Sequence, residues 1–235
     1  MIEKLIKGRY LSFSYPVPKL TFELGSFVTQ PTVALTIEQS VHETLKVPKW
    51  DSKANDFVRE GPQDQMKLVG QKQRVSTISA GENQDKAHRN FQWLRYYGGV
   101  VNQVSFDDLD VLSGDFSGCW MVVYKKDGVV YVGHVGTVDD PHKQHSVKAK
   151  EAWNTFAENN QGNVLRGFNP ARAWANSDSR PEQIHGDGVP RIWGLVTKSE
   201  LISIYVYRLE KDRSRYRIAD WKVVEPSYVP QLYQI

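Results

Sequence analysis

An α+β fold is predicted from three observations: a strand pair joined through Asp-Gly, one amphipathic helical stretch after it, and closing strand-like segments beyond. The strand pair is clearest. Trp120-Met121-Val122-Val123-Tyr124 runs through Lys125-Lys126-Asp127-Gly128 into Val129-Val130-Tyr131-Val132-Gly133-His134-Val135, and β-branched and aromatic runs around Asp-Gly are the strongest short-range hairpin signal. After the turn residues Asp139-Asp140-Pro141, the spacing predicts a helix over 147–158, with Val147, Trp153 and Phe156 available for its inner face. Segments 191–209 and 215–224 read as two closing strands around the charged turn Glu210-Lys211-Asp212-Arg213. There is no internal repeat or low-complexity tract, and 235 residues with 40% hydrophobic content suffice for one sizeable core. All elements are therefore placed in a single domain over residues 1–235.

The remaining segments follow the same rules. From Tyr10 to Thr36, short alternating runs such as Leu20-Thr21-Phe22-Glu23-Leu24 and Thr32-Val33-Ala34-Leu35-Thr36-Ile37, punctuated by Pro16, Pro18, Gly25 and Pro31, predict two or three strands. Residues 49–90 are polar and predict long loops around one strand near 66–75. Phe91-Gln92-Trp93-Leu94-Arg95-Tyr96-Tyr97 ends at Gly98-Gly99 and suits a glycine-closed helix or a strand. Residues 159–190, with Gly162, Asn169-Pro170 and Arg180-Pro181, read as loop.

Charge and cysteine content narrow the function classes. Thirty Lys and Arg against 27 Asp and Glu leave a net charge of +3, weak for tracking a phosphate backbone, so nucleic acid is not the expected partner. Seven Trp and eleven Tyr fit sheet packing and a protein-binding face equally well. A single Cys excludes an internal disulfide and a thiolate-rich zinc site. Residues 1–9 lack an apolar stretch of signal-peptide length, and no later segment matches a bilayer span. These features imply a soluble chain made in the cytoplasm without membrane insertion; export without a cleaved signal would leave no mark here.

The hairpin brings the lone Cys into play. With a two-residue turn, Lys126 faces Val129, Met121 faces His134, and Cys119 lies opposite Gly136. Side chains alternate, so Cys119, Met121 and Val123 share one face with His134 and Val132, and Trp120, Val122 and Tyr124 point the other way. Diagonal Cβ atoms lie roughly 7 Å apart, within reach of a sulfur and an imidazole. An adjacent imidazolium favours the thiolate, the useful nucleophile, so a thiolate-imidazolium pair about 3 to 4 Å apart is expected. Leu112-Ser113-Gly114-Asp115-Phe116-Ser117-Gly118 precedes the sulfur, and the backbone N–H groups of Gly118 and Cys119 are candidate oxyanion donors. Small residues before a strand also make ordinary turns, and a lone Cys is commonly a small buried hydrophobe, so a structural hairpin is the competing reading.

Phe116-Ser117-Gly118-Cys119, then a hairpin and His134, resembles the Leu-Ser-Gly-Cys signature of bacterial glutamine deamidase toxins. These include the cytotoxic necrotising factor catalytic domain and the Burkholderia lethal factor, with the chemoreceptor glutamine deamidase in the same structural group. Gly194-Leu195-Val196-Thr197 and Ile202-Ser203-Ile204-Tyr205-Val206-Tyr207 are similar to the lethal factor's closing strands in pattern and spacing. The resemblance covers the second half of the chain. It implies two packed mixed or antiparallel sheets, a β-sandwich-like core flanked by helices and long loops, with Cys119 as nucleophile and His134 as base. A third residue orients the imidazole; the family's Thr six positions before the Cys falls on Ser113, which keeps the hydroxyl. Phe116 replaces the family's Leu at a packing position. The implied reaction converts a target-protein Gln to Glu with release of ammonia, without cofactor or metal, by a monomeric bacterial toxin or effector acting on a protein substrate. A primary amine replacing water would give transglutamination.

Other constellations carry less. His142 and His145, near Asp139 and Asp140, offer metal-ligand types in a polar loop that gathers them without a metal. His42, His88 and His185 stand in polar contexts and read as solvated. Arg166 and Arg172, in Arg166-Gly167-Phe168-Asn169-Pro170-Ala171-Arg172, belong to a substrate-facing loop or to a turn with two surface arginines. Residues 208–217 alternate in charge as a hydrated hairpin tip does. Two alternatives stand beside the deamidase: a non-catalytic binding or immunity-type module with a buried Cys, and a related Cys peptidase or amidase.

Overall fold

The computed structural model describes residues 6–13, 21–32, 34–37, 41–48, 50–51, 56–57, 68–80, 90–210 and 212–227. Its strands are, in order, β1 (Tyr10–Phe13), β2 (Phe27–Thr29), β3 (Ala34–Ile37), β4 (Val41–Pro48), β5 (Trp50–Asp51), β6 (Asp56–Phe57), β7 (Leu68–Ala80) and β8 (Asn90–Arg95). Next come β9 (Val101–Ser105), β10 (Asp110–Gly114), β11 (Trp120–Lys126) and β12 (Val129–Val135), then helix α1 (Gln144–Asn159). The last four are β13 (Val164–Phe168), β14 (Asp187–Val196), β15 (Leu201–Leu209) and β16 (Arg215–Val223).

The large sheet has the order β1-β16-β15-β14-β10-β8-β3-β7-β4, and the small one β13-β11-β12-β9-β2, giving an α+β sandwich-like fold. On one edge of β7, Ile78 faces Ile37 of β3 and Val75 faces Val41 of β4. On its other edge, the same two residues pair with Phe13 and Tyr10 of β1, so the large sheet's pairings run in a closed ring.

Strand alternation sorts the buried apolar residues into separate clusters, three of which frame the site. Ile202, Ile204 and Val206 of β15 pack with Leu11, Leu35, Phe91, Leu112, Trp193 and Ile218 on one face of the large sheet. Leu201 and Val196 face the small sheet instead, meeting Met121, Val123, Val132 and Phe168. Trp120, Val122 and Tyr124 point outward to Ala149, Trp153 and Ala157 of α1. The helix is the expected one, extended at both ends; Trp153 is buried, whereas Val147 and Phe156 are half-buried at its flanks.

Several local expectations change. The 91–97 segment is strand, because β8 is gripped on one side by parallel β10 and on the other by antiparallel β3. Segment 159–190 contains strand β13, which joins the sheet edge beside β11. Segment 191–209 divides into β14 and β15 at a tight turn in which the Thr197 hydroxyl accepts the Glu200 N–H at 2.9 Å. Thr21–Leu24 is irregular, and the strands described in this region are β1, β2 and β3; residues 14–20 and 33 lie outside the described residues. The strand expected near 66–75 is β7, and much of the surrounding predicted loop lies outside the described residues. Among the described residues α1 is the single α-helix, accompanied by short 3-10 turns, and no helix is long and apolar enough to cross a membrane.

Candidate functional site

Asp127 (φ 50°) and Gly128 (φ 81°) both take left-handed backbone, as a two-residue turn of matching twist requires. The turn fixes Lys126 opposite Val129 and Met121 opposite His134. Cys119, just before β11, packs with Met121, Val123 and Val132 between the sheets, the face His134 shares by alternation. Cys119 lies in the wall of a cleft of about 830 Å³ that Tyr96, Asp115, Phe116, Asp139, Asn169 and Arg172 also line.

His134 is fully buried, and its Nδ1 lies 2.8 Å from the Ser113 hydroxyl, across from one sheet to the other. That hydroxyl donates to the Leu94 carbonyl at 2.6 Å. A hydroxyl has one proton, so toward the ring Ser113 accepts, and Nδ1 carries the hydrogen. Nε2 is left with its lone pair, buried and without a hydrogen-bond partner among the described residues. The Phe116 ring stacks on the imidazole at 4.2 Å between centroids, and Tyr96 leans on it at 5.3 Å. Gly194 makes room for this stack: a methyl group there would stand 2.9 Å from Met121 Sδ and 3.2 Å from Phe116 Cε2. Burial alone lowers the imidazole pKa from 6.5 to about 3.

Cys119 departs from the expected pair. Its thiol donates to the Thr137 carbonyl at 3.2 Å and lies 3.4 Å from the Thr137 hydroxyl, and no hydrogen bond reaches His134 Nε2. Burial pushes the thiol pKa up, Thr137's hydrogen bonds pull it back in part, and the Asp139 carboxylate adds to the rise. The resting pair is thus thiol and neutral imidazole, not thiolate and imidazolium, because the dry inter-sheet core disfavours either charge. Tyr96 donates to the same Thr137 carbonyl at 2.8 Å, and burial raises its phenol to about 12.

The N–H groups of Gly118 and Cys119 donate to no backbone carbonyl among the described residues. Of the two arginines singled out in the sequence, Arg172 lines the cleft, its guanidinium 5.2 Å above the Trp120 ring. Arg166 does not: it reaches across from β13 to donate to the Thr197 carbonyl at 2.5 Å and serves as a strap on the β14–β15 turn. Tyr96, Thr137 and Asn169 escaped sequence reasoning. Asn169 carried the sole signal, its Asn-Pro step; its side chain accepts the Ala171 N–H at 2.9 Å and caps a 3-10 turn beside the cleft.

His142 and His145 are exposed, and no group of three or more metal-ligating side chains gathers among the described residues. His185 is half-buried and engaged by a neighbour rather than solvated. The backbone of His42 in β4 pairs with that of Arg74 in β7, and His88 lies outside the described residues. Compared with known proteins, the chain matches no family model, and no curated protein sequence matches it.

Proposed function

We propose that the chain is a protein glutamine deamidase, a Cys-dependent amidohydrolase without metal or cofactor. One observation carries this: the Ser113 hydroxyl fixes the Nδ1–H tautomer of His134, leaving an Nε2 lone pair without a partner among the described residues, on the strand face shared with the cleft-lining residue Cys119. A solely structural histidine would be expected to satisfy both ring nitrogens, since an unpaired buried polar atom costs about 1–3 kcal/mol.

In the proposed cycle, a glutamine carboxamide enters the cleft and the Cys119 side chain turns from Thr137 toward Nε2. The imidazole takes the thiol proton as sulfur bonds to the amide carbon, and the N–H groups of Gly118 and Cys119 receive the oxyanion. Collapse breaks the C–N bond, and the imidazolium proton leaves with ammonia. Water, deprotonated by the same nitrogen, attacks the thioester; the C–S bond breaks, the thiol regains its proton, and glutamate remains. Starting from a neutral pair confines charge separation to the moment when substrate is bound. Delivery into other cells as a bacterial effector belongs to the same proposal and is motivated by the resemblance in the Cys motif.

The raised thiol pKa and the Thr137 bond favour a second reading, a non-catalytic binding module in which Cys119 is structural. Intact-mass measurement on candidate target proteins separates the two. Wild type should add about one dalton per modified glutamine, and Cys119→Ser and His134→Gln should add none. No gain with wild type across glutamine-bearing targets rejects the enzyme, and backbone fragments would mark a peptidase instead.

A further inference from the structure

The cleft carries more positive charge than its own carboxylates neutralise. Arg191 is matched by Asp115 at 3.0 Å. Arg95, Arg172 and Arg180 line the same cleft, and among the described residues none of them meets a carboxylate. Arg95 is clamped through its backbone, with its N–H on Gln30 Oε1 at 3.0 Å and its carbonyl on Asn102 Nδ2 at 2.7 Å. Its guanidinium stands 5.4 Å over the Tyr97 ring, and its Nη1 is buried with no hydrogen-bond partner among the described residues. Arg172 rests on Trp120, and Arg180 is held by the Trp174 carbonyl at 2.9 Å. Each cation is positioned by a ring or a backbone group and keeps donors for another molecule.

We infer that the cleft selects an anionic peptide segment, so that the substrate glutamine lies among Asp and Glu residues. This deepens the deamidase reading and rests on it for the word substrate. A polyphosphate chain fits less well, because Asp139, 3.5 Å from the Ser117 hydroxyl, stands in the same wall near Cys119 and would repel it. Separate carboxylates can be arranged to avoid that point, and a continuous backbone of charge cannot.

The experiment uses the full chain with Cys119→Ser and three peptides sharing a central Gln, flanked by Asp and Glu, by Ser, or by Lys, titrated by calorimetry. The acidic peptide should bind about tenfold more tightly than the Lys peptide, with the gap shrinking as salt rises. Arg172→Glu or Arg180→Glu, both at exposed positions, should close or invert the order. Equal affinities, an order untouched by either substitution, or tighter binding of a single-stranded oligonucleotide of matched charge would each overturn the inference. Ammonia release by wild type from the same peptides is read separately. Charge-ordered binding without ammonia from any peptide supports acidic selection and removes the deamidase. Ammonia at equal rates from all three leaves the deamidase and removes the selection.

Discussion

Cys119 and His134 both sit in a medium too dry for charge, and each makes a measurable prediction. The thiol titrates above its ordinary 9.0. Iodoacetamide should therefore modify native Cys119 at least about tenfold more slowly than the unfolded chain near pH 8, with the native rate rising only at more alkaline pH. Fast modification near pH 6 would instead reveal a thiolate at rest. His134 is neutral when folded down to about pH 3 but would take a proton near 6.5 when unfolded. The unfolded chain thus binds more protons between these values, so stability is full above about 6.5 and falls on acidification, by about 1.4 kcal/mol per pH unit from this residue. The urea midpoint of wild type should drop across that window, and His134→Gln should flatten the drop. Cys119 and His134 could be placed from the sequence because parity within one hairpin determines their face. Ser113 could not, since its contact with His134 crosses between sheets and no local periodicity encodes it; the resemblance alone supplied it. Thr137 was invisible for a related reason: a residue just past a strand end has no register to reason from.

At the level of elements, the Asp127-Gly128 turn governs the site from a distance. Gly128→Ala places a side chain at φ 81° and should cost about 1 kcal/mol in chemical denaturation, with the Cys-His chemistry intact. Inserting one residue between Asp127 and Gly128 is a harsher test. It shifts the parity, exchanging the His134 face for the Trp120 face, and should lower Tm and remove any ammonia release together. Strand β13 was missed because Val-Leu-Arg-Gly-Phe is short and bounded by turn residues; its strand state comes from the open edge of β11, a tertiary cause. The 91–97 segment was ambiguous for the complementary reason that both outcomes satisfy its composition, and two neighbouring strands decide it.

Across the molecule, the fold class was legible because strand alternation and one helix period are local signals, whereas the pairing of β1 with both β16 and β7 is not. The same region holds a buried ion pair: Arg217 of β16 donates to Asp187 of β14 at 2.9 Å, both residues nearly inaccessible. Asp187→Asn leaves the guanidinium without its counter-charge and should cost about 3–5 kcal/mol in urea unfolding, against a fraction of that for the exposed pair Lys198–Asp108. Tyr10 sits in register with Arg217, some two hundred positions later along the chain. On the ribosome, then, β1 must wait for β16 before its outer margin is covered. Until residue 217 has emerged, β1 offers an unsatisfied ladder to any neighbouring nascent chain, and crowded synthesis becomes the period of greatest exposure to aggregation.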